Sequence, residues 1–155
     1  LRPDRVIVGE VRGVEAYDMI QAMQTGHPGS MSTGHGNSTM EMLNRLSLLL
    51  MTASQLPWEA CRRMVASSVD LLVHLVRLSD GRRLVAEICS IRGFKEDQFV
   101  LHTHYRSDQV DFIEGDMMDE DETTLSAPKT GQPTQMKRTK NRLVHLGRLN
   151  ASGGS

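Results

Sequence analysis

No G-x-x-x-x-G-K-[ST] run occurs anywhere in the 155 residues, and the first lysine of any kind is Lys95. The backbone amides and the lysine that cradle phosphate groups in such a loop are therefore not supplied by this chain. Cysteine is scarce too: Cys61 and Cys89 are the only two, in no metal-like spacing. That argues against a disulfide framework or a cysteine-held zinc and for two reduced, buried thiols in a cytosolic protein. No apolar run approaches the ~20 residues needed to span a bilayer. No signal peptide is visible, and the chain starts at Leu1, straight into a motif, so its true N-terminus is expected to lie upstream. An excess of one charge is missing as well. With 18 Lys+Arg against 19 Asp+Glu the formal net charge is -1, which gives no support to nucleic acid or bulk membrane charge as a partner. What is present, 39% hydrophobic and 24% charged residues, is the composition of one globular domain with a real core.

The chain is organised around Pro3 to Gly13, PDRVIVGEVRG. Val6, Ile7 and Val8 are consecutive β-branched residues, the pattern of a short strand buried on both faces. Gly9 and Glu10 follow where that strand ends, and Arg12 and Gly13 close the turn. An acid there has its backbone fixed and its carboxylate in the crevice at the strand's carboxyl end, where open α/β sheets place their ligands. Such a carboxylate can orient a hydrated magnesium ion or polarise a water. The same pattern also reads as a strand cap with a surface salt bridge, and at this point both readings stand.

Downstream, Ala16, Met19, Ile20 and Met23 recur at helical spacing and predict a helix over residues 14–25. Gly26, His27, Pro28 and Gly29 read as a loop, and Ser30 to Thr33 as a short second strand. Ser38 with Glu41 has capping-box spacing, so a second, heavily buried helix is expected from about Thr39 to Thr52. Pro57 suits the first turn of a third helix, with Cys61, Met64, Val65 and Val69 along it. The period then shortens. Leu71 to Leu78 and Leu84 to Ile91 read as two strands joined at Ser79 to Arg82. After a loop at Gly93 to Asp97, Gln98 to Tyr105 reads as a third antiparallel strand.

Beyond Arg106 the character changes. An acidic run from Asp111 to Glu122 precedes a Thr/Pro/Gln/Lys-rich stretch and a basic end, which predicts a largely disordered tail. Leu143, Val144, Leu146 and Leu149 allow one short helix in it. His74 reads as a satisfied sheet histidine. His102 and His104 share a strand face at metal-like spacing, but without a third ligand in view. Arg62 and Arg63 read as a solvated helix face in preference to a subunit contact, and the methionines on the helices as core.

Three pieces in order, PDRVIVGEVRG, QAMQTGHPGSMSTGHGNS and MEMLNRLSLLLM, resemble the secretion ATPases of the type II/type IV secretion superfamily. The nearest look is to the branch that drives tight-adherence (Tad, Flp-type) pilus assembly, and the resemblance covers about Leu1 to Tyr105. It implies an α/β fold, the C-terminal half of a RecA-like P-loop NTPase domain with appended helices, an antiparallel β-hairpin and a disordered tail. Residues 1–105 would be that part of the motor domain and 106–155 an acidic then basic tail. By the resemblance, Val6, Ile7, Val8, Gly9 and Glu10 form the Walker B segment, with Glu10 acting on the hydrolytic water and, through water, on Mg2+. Arg12 matches the arginine of the GExRG pattern. His27 and His35 match the paired histidines of the His box, close to the nucleotide, and Asn37 the polar residue after them. Gly34 stands where many members carry a bulkier residue, so the loop before His35 is expected to be flexible and to let His35 swing.

The family's phosphate loop lies ahead of its Walker B strand, so this chain looks like the later part of a motor domain, inactive towards ATP by itself. The full protein implied is a hexameric, cytoplasmic ATPase at the inner face of the cell membrane, using ATP and Mg2+. It would couple hydrolysis to pilus assembly or protein secretion, docked on an inner-membrane platform protein, with no nucleic-acid partner. Two other readings remain open: a non-catalytic, truncated or regulatory paralogue that binds motor subunits without turnover, and a metal-dependent hydrolase built on the histidines.

Overall fold

The structure, a computed structural model, describes residues 5–25, 29–110 and, for the backbone, 142–147. Its elements are β1 (Ile7–Val8), α1 (Glu15–Gln24), β2 (Met31–His35), α2 (Thr39–Ser54), α3 (Trp58–Ser68), β3 (Leu71–Arg77), β4 (Arg83–Lys95), β5 (Gln98–Arg106) and β6 (Arg142–Gly147). One mixed sheet runs in the order β1-β2-β6-β3-β4-β5. Among the described residues β1 and β2 alone pair in parallel, joined through α1, and the other neighbouring pairs are antiparallel. No helix among the described residues is long and apolar enough to cross a membrane.

The three helices follow from their stripes. Ala16, Met19, Ile20 and Met23 of α1 meet Met42, Leu43, Leu46 and Leu50 of α2 and Cys61 and Val65 of α3. Leu72, Cys89, Phe99 and Leu101 close this core from the sheet. Ser38 caps α2, its Oγ accepting from the Glu41 backbone N–H at 3.1 Å. Pro57 stands one position earlier than expected, as the N-cap of α3.

Several expectations are corrected. β1 is not buried on both faces here, because Ile7 is 69% exposed; among the described residues it stands at the edge of the sheet, paired to β2. The supposed loop at Gly93 to Asp97 is the end of β4, which runs to Lys95 and turns on two residues. Glu96 and Asp97 both have positive φ, 48° and 64°, the twist a two-residue hairpin needs. Residues 142–147 form no helix. They are a strand inserted between β2 and β3, paired to β3 over 142–147 and to β2 over 143–147. Its short β-branched and apolar content suits a strand filling a gap between two edges. The acidic run at 111–122 lies outside the described residues.

Gly34 is corrected too. It sits inside β2, buried, and a Cβ there would overlap the thioether of Met42, whose Sδ lies 2.9 Å away. Gly36 is also buried, and a Cβ on it would stand 3.1 Å from the Met42 Cβ and 3.2 Å from the Ser38 carbonyl oxygen. These glycines permit α2 to lie close on β2. They do not make a loose loop. Gly34→Ala is expected to cost about 1 kcal/mol and Gly34→Val about 2–3 kcal/mol, as overpacking does. Trimming the obstacle should recover part of it, so chemical denaturation of Gly34→Val with Met42→Ala should give less than the sum of the two single losses.

Candidate functional site

Glu10 is held in place by backbone on either side of it. The Thr33 hydroxyl donates to the Gly9 carbonyl at 2.6 Å, and the Val11 N–H donates to the Thr33 carbonyl at 2.9 Å. Val11 is fully buried. With Val11 turned into the core, its neighbour Glu10 faces the opposite way, beside the end of β2. There its carboxylate meets two partners. Arg12 Nη2 lies 2.6 Å from Oε2, and His35 Nε2 lies 2.7 Å from Oε1. The second contact is close but off the alignment of a regular hydrogen bond, since Oε1 is buried and has no aligned donor.

The hydrogen bond from Arg12 holds the Glu10 carboxyl below its ordinary value, against the desolvation that opposes it. The charges of Arg12, His35 and Arg45 act in the same direction as that bond. The reciprocal effect raises Arg12. Glu10 is therefore an ionised carboxylate at neutral pH. That makes it a weak proton acceptor but a good acceptor for water protons and a good partner for a cation.

His35 is the last residue of β2, and its backbone is fixed from α2: Arg45 Nη1 donates to its carbonyl at 2.9 Å. A glycine-driven swing of the His35 backbone is thus not what this arrangement offers. Asn37 is tied to the same helix, its side-chain amide donating to Glu41 Oε1 at 2.9 Å and its backbone N–H to Oε2 at 3.2 Å. Glu41 thus reaches one residue further back than a capping box requires, and clamps Asn37. His27 lies outside the described residues. The structure brings together Glu10, Arg12 and His35, while Asn37, two residues on from His35, is held to Glu41 of α2.

Three contributors escaped sequence reasoning. Thr33 and Arg45 act on backbone carbonyls, which leave no side-chain spacing to read. Glu15 accepts from the Arg12 and Gly13 backbone N–H groups at 2.6 and 2.9 Å and so shapes the turn behind Glu10. An acid in the first turn of a helix is a visible signal for this. These backbone bonds, that from Arg12 first, lower the Glu15 carboxyl below its usual 4.5. A carboxyl lowered by folding contributes stability that is present above its unfolded value and lost as pH falls through the folded one. Thermal melts should therefore fall as pH drops below about 4.5, and Glu15→Gln should make that decline shallower.

Among the described residues the remaining histidines do not assemble. His102 and His104 pack edge to face at 4.7 Å, and His104 Nε2 lies 2.9 Å from Ser90 Oγ. Among the described residues no group of three or more His, Cys, Asp or Glu is placed to hold a metal ion. His74 is buried within β3, as a sheet histidine should be. Arg62, expected on a solvated face, is instead buried, with Trp58, Phe94 and Phe99 rings 4.9–5.6 Å from its guanidinium and the Asp97 carbonyl accepting from Nη1. A weakly hydrated, delocalised cation tolerates this setting where a lysine would not.

Comparison with known proteins places these features. The profile of the family described as type II/IV secretion system protein matches residues 1–145, well past the stretch that carried the resemblance. The conjugal transfer protein TrbB of Rhizobium radiobacter is 39% identical over 116 residues, 75% of this chain and 33% of that protein. The type IV secretion system protein PtlH of Bordetella pertussis is 37% identical over 93 residues, 57% of this chain and 27% of PtlH. The crystal structure of the VirB11 ATPase from the Brucella suis type IV secretion system, in complex with sulphate, superposes with a TM-score of 0.54 at 35% identity. That match covers 58% of this chain and 28% of VirB11. The chain spans about a third of the length of the curated relatives it matches.

Proposed function

The chain belongs to the type II/IV secretion system protein family, and from that premise we propose that it is part of a motor ATPase in which Glu10 is the catalytic carboxylate. The observation that carries this reading is the Glu10 carboxylate held between Arg12 at 2.6 Å and His35 at 2.7 Å, at the carboxyl end of β1. Phosphoryl transfer asks a protein mainly for positioning and charge stabilisation. Glu10 would orient the attacking water, and Arg12 and His35 would answer charge on the phosphates once either releases Glu10.

A lone carboxylate suits a hydrated magnesium ion held chiefly by phosphate oxygens, not a protein cage. Magnesium would neutralise phosphate charge, and Glu10 would hold one of its waters. The phosphate cradle has to come from residues other than these, because no G-x-x-x-x-G-K-[ST] run occurs here. In the whole protein we place ATP and Mg2+ as cofactors, a hexamer as the assembly, and the cytoplasmic face of the inner membrane, on a platform protein, as the location. The work done would be secretion or pilus assembly. The narrower assignment to the tight-adherence pilus branch rests on the residue pattern of the PDRVIVGEVRG and TGH segments.

The test is ATP turnover by the full-length protein with and without Mg2+, together with its sedimentation behaviour. Turnover that requires Mg2+ and a particle of six subunits is the expected result. A full-length protein that binds motor subunits but turns over no ATP would instead be the regulatory paralogue.

A further inference from the structure

Behind the site lies a buried carboxylate that the proposed chemistry does not touch. Glu87, in β4, is 5% exposed. Its Oε2 accepts from the Thr39 hydroxyl at 2.7 Å, and its Oε1 accepts from Arg106 Nε at 3.2 Å and from Arg106 Nη2. Arg106 is its register partner across β4 and β5, so the ion pair is built into the hairpin. Thr39 belongs to a different part of the chain. It is the first residue of α2, it is buried, and 48 residues separate it from Glu87.

The first two turns of α2 are also what holds the site. Glu41 clamps Asn37, Met42 lies under Gly34 and Gly36, and Arg45 holds the His35 carbonyl. The apolar contacts of α2 with α1, α3 and the sheet are non-directional and fix its position along its own axis only loosely. A hydrogen bond to an ionised carboxylate is short and directional. Glu87 is itself immobilised by Arg106 and by burial, so the bond to Thr39 refers the start of α2 to the β3–β5 sheet.

We propose that Glu87 is a positioning residue: through the Thr39 hydroxyl it fixes the N-terminus of α2, and with it the placement of His35 and Asn37 relative to Glu10. Its effect on turnover rests on the ATPase reading given above; its effect on the backbone does not.

Thr39→Val keeps the shape of the side chain and removes the donor, whereas Thr39→Ser keeps the donor. In the full-length protein, Thr39→Val is expected to lower kcat for ATP by about 5- to 20-fold, part of the factor of about 10 to 150 that one hydrogen bond to a charged group is worth. Thr39→Ser should stay within about 2-fold of wild type, because the bond is retained. In a background that lacks both groups it positions, His35→Ala with Asn37→Ala, Thr39→Val should change kcat by less than about 2-fold. An equal loss from Thr39→Val in both backgrounds would mean that the hydroxyl only stabilises the fold, and would overturn the proposal. Hydrogen exchange read on the same proteins separates this from the ATPase reading. Amides of residues 35–38 should exchange faster in Thr39→Val, with those of α3 unchanged. If wild type turns over no ATP but this exchange difference appears, the ATPase reading fails and the positioning role stands. Unchanged exchange at residues 35–38 overturns the positioning role whatever the turnover.

Discussion

Glu10→Gln in the full-length protein is expected to lower ATP turnover by about 10²- to 10³-fold while leaving nucleotide affinity within a few-fold. The size follows from the state of the carboxyl. Arg12, with the charges around it, keeps Glu10 below the ordinary carboxylate range, so it is ionised but weakly basic. Proton abstraction at full strength would put the loss towards 10⁴-fold. A weakly basic carboxylate that mainly orients water and a hydrated cation puts it lower. Glutamine keeps the length and one acceptor oxygen and removes the charge, so it separates charge from shape. Steady-state turnover beside a nucleotide-binding titration reads both quantities, and equal turnover in the two proteins would remove Glu10 from the chemistry.

Phe99→Ala is expected to destabilise the chain by about 3–5 kcal/mol, enough to unfold a domain of ordinary stability. Phe99 is fully buried at the start of β5 and lies edge-on to Phe94, with ring centroids 5.5 Å apart. Its ring is also the nearest of the three around the Arg62 guanidinium, at 4.9 Å. Removal leaves a cavity and strips a buried cation of part of its surroundings. Arg62 Nε already has no hydrogen-bond partner, so the cation has little to fall back on. Phe99→Leu, which refills most of the volume, should recover the larger part of the loss. Urea denaturation of the three proteins gives the comparison, and a Phe99→Ala loss below about 1 kcal/mol would contradict the packing described.

What was legible beforehand had local causes. The helices were written as apolar stripes, Ser38 and Glu41 marked the start of α2, and the Asp80–Gly81 turn marked the β3–β4 hairpin. Glu10 was visible because an acid stood just after a β-branched run, and TGH before Asn37 gave it company. What was not legible depended on contacts distant in sequence. The Glu96–Asp97 turn carries no glycine or asparagine, so its left-handed backbone had no residue to announce it. Arg62 reads as solvent-facing because arginines usually are, and only the fold brings Trp58, Phe94 and Phe99 around it. Gly34 could be read as freedom or as closeness, and the Met42 thioether decides for closeness. Thr39 and Glu87 looked like a helix start and a strand acid, with nothing in the spacing to join them.

The position of β6 carries a consequence for how this molecule comes into being on the ribosome. β6, the last strand among the described residues, stands between β2 and β3, so two hydrogen-bonding edges wait for residues 142–147 to emerge. At a synthesis rate of roughly 5–20 residues per second, α1, α2, α3 and the β3–β5 hairpins have seconds in which to form first. The nascent sheet passes that interval as two separate pieces, each with an open edge suited to pairing with another chain. Products of synthesis that stop short of Arg142 should therefore associate with one another more readily than products that extend past Gly147.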